Sequence, residues 1–145
     1  MKKINLHSVI CMVAAAAAIG FFSTTGYSQT ITVNVPGATP LTALTRITGS
    51  QSGVARIRLS IGKAESDEVW NCSTKSGVKQ CSWRTGPTGQ WMNAVIRGGT
   101  WAASPSTLPT GRNLPDGRYV IHIYGEDASG GTVVQQFTHP FSIAR

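Results

Sequence analysis

The segment 54–61 alternates without a break: Ala55, Ile57, Leu59 and Ile61 fall on one side, and Arg56, Arg58 and Ser60 on the other. Successive side chains of an extended chain point to opposite faces, so this period of two belongs to a strand with one buried face. The same period returns at 118–125, where Tyr119, Ile121 and Ile123 oppose Val120, His122 and Tyr124. No stretch beyond residue 28 has the apolar spacing of 3 and 4 that an amphipathic helix needs. The chain is therefore expected to be all-β.

Turn residues punctuate the rest. A first strand over Gln29–Val35 stops at Pro36-Gly37, and Leu41, Leu44 and Ile47 follow among threonines. The run Gly49-Ser50-Gln51-Ser52-Gly53 reads as a flexible turn, and 62–68 as a polar connection. Residues 90–97 alternate weakly, whereas 98–113 are rich in Gly, Ser, Thr and Pro, with Trp101 and Leu108 as anchors. In Leu114-Pro115-Asp116-Gly117, proline presets φ and glycine accepts positive φ, so a strand starts after it. A second turn at 126–131 leads to a last strand through Ile143, with Pro140 marking a bulge or an edge. About seven short strands in one domain fit an antiparallel β-sandwich.

The N-terminus is of another kind. Met1-Lys2-Lys3 precedes an apolar, alanine-rich run over 8–22, shorter than the roughly 20 residues a membrane-spanning helix needs. This is the pattern of a secretory signal peptide, and Gly26 and Ser28 are the small residues a cleavage site requires. The expected division is a signal peptide over 1–28 and one domain over 29–145. The formal charge of +7 then becomes +5, because Lys2 and Lys3 leave and 11 basic residues face 6 acidic ones. No second hydrophobic span follows, so the mature chain is expected to carry no transmembrane segment. It would be secreted, periplasmic or held at the cell surface.

Cleavage also removes Cys11 and leaves Cys72 and Cys81. An even pair in an exported chain reads as a disulfide. The polar loop between them contains Gly77, and an aromatic stands outside each cysteine, Trp70 and Trp83, which suggests a hairpin clamped at its base.

Several of these residues together carry a resemblance. The strand 53–61, Val69-Trp70-Asn71, Ser82-Trp83, Trp91 with Ala94, Gly99-Thr100-Trp101, and Leu114-Pro-Asp-Gly117-x-Tyr119 with Asp127-Ala-Ser-Gly130 resemble a bacterial immunoglobulin-like module. The likeness spans roughly residues 30–143. Such modules recur in exported adhesins and as appendages of secreted enzymes. The resemblance implies an immunoglobulin-like sandwich, a structural corner at Leu114, Gly117 and Tyr119, and a role in protein interaction, adhesion or envelope structure without catalysis.

Motifs of catalysis are missing: there is no G-x-S-x-G, no H-E-x-x-H, and His122 and His139 are the only histidines of the mature chain. No enzyme activity, metal or cofactor is expected. Turn chemistry accounts for Asp116 and Asp127 without a bound cation. The remaining candidates for binding are Trp70, Trp83, Trp91 and Trp101, which would stack on sugar rings if they lay exposed in a row, together with Arg56 and Arg58 on one strand face. The other basic residues, including Lys75, Lys79 and Arg84, are scattered along the sequence, and no motif points to specific nucleic-acid recognition. Expected partners are a protein or a surface glycan of the cell envelope, met through loops or an open sheet edge.

Overall fold

A computed structural model describes residues 28–86 and 90–145. The signal peptide expected over 1–28 lies, but for its last residue, outside the described residues. Those residues form an antiparallel all-β fold without an α-helix. The strands are β1 (Thr30–Ile31), β2 (Thr48–Ser52), β3 (Arg56–Lys63), β4 (Glu68–Lys75), β5 (Val78–Thr85), β6 (Met92–Arg97), β7 (Thr100–Ala103), β8 (Gly117–Glu126) and β9 (Thr132–Ile143). Nine strands thus replace the expected seven. Single 3-10 turns at Pro105–Thr107 and Gly111–Asn113 lie in the connection from β7 to β8.

The pairing order runs β1-β2-β7-β6-β3-β4-β5, with β8 on the other edge of β3 and β9 beyond it. β3 pairs with β8 along its whole length, from Arg56↔Glu126 to Lys63↔Tyr119. Its opposite edge is divided between β6, at Leu59↔Met92, and β4, at Gly62↔Val69. This sharing curls the sheet nearly into a barrel, and the core fills its inside. Ile57, Leu59 and Ile61 of β3 and Tyr119, Ile121 and Ile123 of β8 are buried there, on the faces that the alternation assigned.

Three segments depart from the sequence reading. Of the run 49–53, read as a flexible turn, all but Gly53 belongs to β2, paired with β1 on one side and with β7 on the other. β7 itself lies inside the Gly/Ser/Thr/Pro-rich stretch. The reason is packing across Gly49. Trp101, directly opposite it on β7, lays its indole over the glycine and donates from Nε1 to Thr32 O at 3.0 Å. A Cβ at Gly49 would stand 1.8 Å from that oxygen and 2.5 Å from Nε1, so only glycine lets the ring close this side of the core. The first strand is also shorter than expected: beyond Ile31 it continues through single hydrogen bonds from Thr32 N to Ser50 O and from Asn34 N to Thr48 O and an isolated bridge, Val35↔Thr48, rather than as a regular ladder. β9, by contrast, runs unbroken through Pro140, which is tolerated on an edge strand. Near its end Ile143 forms a parallel bridge with Leu41.

Candidate functional site: a clamped hairpin with an open edge

β4 and β5 meet at a two-residue turn, Ser76-Gly77, with φ of 51° and 77°. Positive φ at both central residues defines the type I′ turn whose twist matches that of the strands it joins. The turn fixes the register: Lys75↔Val78, Thr74↔Lys79, Cys72↔Cys81, Trp70↔Trp83. The cysteines are thus directly opposite, with their sulfurs at disulfide distance and their Cα atoms 4.0 Å apart. Close approach of this kind marks a non-hydrogen-bonded pair. The Cys72 N–H agrees, since it turns away from β5 and donates to Gln90 Oε1 at 3.2 Å.

Alternation then places Trp70, Cys72, Cys81 and Trp83 on the inner face of the hairpin. The two indoles meet edge to face, 5.3 Å between centroids, and Trp83 continues to Tyr119 at 5.7 Å and Tyr119 to Phe141 at 5.3 Å. Each indole N–H reaches a loop carbonyl, Trp70 to Thr107 O at 2.8 Å and Trp83 to Asn113 O at 2.6 Å. The β7–β8 connection therefore fastens the base of the hairpin from below, and the disulfide fastens it within. Lys63 Nζ caps the Trp83 ring at 5.2 Å while it pairs with Glu68, whose carboxyl this lysine holds below the usual range. Beyond the disulfide the hairpin leaves the core, and Ser73 through Gln80 are all exposed.

The two edges of this arm differ. On the β4 side Gln90 covers the Cys72 N–H, and a slot of about 310 Å³ lies between Cys72, Thr74, Gln90 and Trp91. On the β5 side the pairing order ends, and among the described residues no strand lies beyond. Because Cys81 is a non-hydrogen-bonded position, the N–H and C=O groups of Lys79, Cys81, Trp83 and Thr85 point outward along this free edge. Those of Gln80, Ser82 and Arg84 point to β4.

The other candidates fall elsewhere. Trp70 and Trp101 are each 2% exposed, so the proposed row of surface tryptophans does not exist: an indole buried under a hairpin or across a glycine cannot stack on a sugar. Trp91 is half-buried and packs edge to face on Tyr124 at 4.8 Å. Arg56 and Arg58 do share a face, but both turn to Glu126, at 3.6 Å each, and Arg56 also donates to Ala128 O at 2.9 Å. They brace the β8–β9 turn. Asp127 organises that turn through Oδ1, which accepts from Ser129 N, Ser129 Oγ and Gly131 N; these bonds lower its pKa. Asp116 pairs with Arg145, so the turn carboxylates each have their own protein partner.

At the corner Leu114 is buried, Gly117 opens β8, and the buried Tyr119 donates from its hydroxyl to Pro115 O at 2.6 Å. His139 Nε2 lies 2.8 Å from Pro36 O. His122 borders an open cleft of about 680 Å³ with Gly62, Lys63, Asp67 and Glu68. Burial lowers its imidazole pKa, and its Nδ1 has no partner among the described residues. No hydrogen bond joins it to Ser60, its neighbour across the strands.

Sequence reasoning read Lys75, Lys79 and Arg84 as scattered, whereas the fold puts all three on the β4–β5 hairpin, Lys75 and Arg84 on its outer face and Lys79 on the face of Cys81. All three are exposed on one arm. A usable signal was present, because no acidic residue occurs between Val69 and Gly86. No family model matches the chain, and no curated protein or solved structure matches it either. No helix among the described residues is long and apolar enough to cross a membrane.

Proposed function

We propose that this chain is an exported, non-enzymatic immunoglobulin-like module that binds another protein through the β4–β5 hairpin. The pairing order supports the immunoglobulin-like reading. β1-β2-β7-β6 follows the order A-B-E-D of one sheet of that fold, and β9-β8-β3-β4-β5 follows G-F-C with two added strands, as in its variable-type members. The Tyr119 hydroxyl returning to Pro115 O matches the tyrosine corner of the same fold. The apolar leader and the cysteine pair support export.

One observation carries the interaction reading: the free edge of β5, eight residues long and stiffened by a cross-strand cysteine pair. Unpaired edges invite another strand, and globular proteins usually shorten, cover or bulge them. Here the edge is long, regular and anchored by two indole hydrogen bonds. A photo-cross-linking amino acid at Gln80, placed in the exported protein in its native cells, is expected to yield one discrete adduct. The same group at the exposed Gln135 of β9 is expected to yield none. Adducts absent at Gln80, or equal at both positions, would overturn the reading.

A further inference from the structure

We propose that the β5 edge accepts an acidic, extended polypeptide segment as an added strand; the inference rests on the hairpin being the docking element and specifies its partner. The outward groups of Lys79, Cys81, Trp83 and Thr85 offer four N–H donors and four C=O acceptors at alternate positions. Eight residues at roughly 3.4 Å each make an edge about 27 Å long, enough to hold a strand of ordinary length. The host side is already ordered by the cysteine pair, Trp70 and Trp83, so binding fixes little more than the incoming segment.

Charge selects the kind of strand. Lys75, Lys79 and Arg84 are exposed, none joins an ion pair among the described residues, and the arm contains no carboxylate. The acidic residues nearest in sequence, Asp67 and Glu68, lie at its base, and Glu68 is taken by Lys63. Pairing of two β5 edges would bring six cations and no anion onto one four-stranded arm, which disfavours a second copy of this chain. A basic edge also repels basic or chance strands, as charged edges generally do, while it attracts an acidic one. Side-chain faces add a pattern. The inner side of an added strand passes beside Cys81 and the half-buried Trp83, which suits apolar residues, and beside Lys79 towards the tip, while its outer side passes beside Arg84. The fitting segment therefore combines apolar residues, beside Cys81 and Trp83, with acidic ones, beside Lys79 and Arg84.

The test uses the oxidised, exported protein and a synthetic ten-residue peptide of alternating valine and glutamate. Binding should slow amide exchange at Lys79, Cys81, Trp83 and Thr85. Affinity should fall at least about tenfold for K79E/R84E, two exposed changes whose unchanged urea midpoint certifies the fold, and should weaken as salt rises. Methylation of alternate peptide nitrogens should abolish binding. Equal binding of a valine–lysine peptide, or undiminished binding to K79E/R84E, would overturn the acidic preference while leaving the edge as docking element. Failure of both peptides to protect the four amides would overturn strand addition. The Gln80 adduct reports separately on whether the hairpin meets a protein at all.

Discussion

Replacing Gly49 by alanine tests the reason why a glycine- and serine-rich run becomes a strand. The new Cβ would lie 1.8 Å from Thr32 O, 2.5 Å from Trp101 Nε1 and 2.7 Å from Trp101 Cε2, all well inside contact distance. Two of these atoms form the hydrogen bond that joins the indole to β1's end, and Thr32 N–H in turn donates to Ser50 O at 2.9 Å. Neither backbone nor ring can yield alone. Overpacking of a tight core costs about 1–3 kcal/mol, and leaving the buried indole N–H and its carbonyl unpaired costs about another 1–3 kcal/mol. The sum, about 2–6 kcal/mol, is a large share of the roughly 5–15 kcal/mol available to a domain. Urea unfolding followed by tryptophan fluorescence should show the midpoint falling by about 1–3 M for an m-value near 2 kcal/mol/M. Gly37→Ala is the control, since a Cβ there meets nothing within 4 Å, and it should stay within about 0.5 kcal/mol of the parent. A Gly49→Ala protein as stable as this control would refute the packing argument.

Other expectations are quicker to check. The double variant C72A/C81A opens a ten-residue loop and should lose about 2–3 kcal/mol in urea relative to the oxidised parent on the chain-entropy model; a loss below about 0.5 kcal/mol would contradict the clamp. Tyr119→Phe removes the hydroxyl bonded to Pro115 O and should cost about 1–2 kcal/mol with the strands intact by circular dichroism. Burial keeps the His122 pKa below its usual 6.5, so between the lowered folded value and 6.5 the unfolded chain binds the proton more readily. Stability is then full above about pH 6.5 and declines as pH falls through that window; His122→Gln should flatten this slope, and an unchanged slope would place its origin elsewhere.

The sequence was most informative where a segment's fate is decided locally. The alternation in 54–61 identifies the faces of β3, although the strand is shifted to Arg56–Lys63, and Leu-Pro-Asp-Gly marks the entry to β8. The paired Trp-x-Cys and Cys-x-Trp segments around a glycine reveal the hairpin. β2 was hidden because its composition is that of a turn and its partner Trp101 stands far downstream; composition cannot report a contact across the fold. The four tryptophans look alike in sequence, yet the side of the strand and the carbonyl each indole can reach put Trp70 and Trp101 inside. Lys75, Lys79 and Arg84 come onto one hairpin only after the Ser76-Gly77 turn sets the register, Lys79 on one face and the other two on the opposite one.

The most direct test of an open, clamped edge is amide hydrogen exchange on the free oxidised protein, read residue by residue along β5. The amides of Gln80, Ser82 and Arg84, which face β4, should exchange slowly, whereas those of Lys79, Cys81, Trp83 and Thr85 should exchange at rates near those of unstructured peptide. Uniform protection of all seven amides would mean that another segment already covers this edge, and it would contradict the account of β5 as a free docking strand.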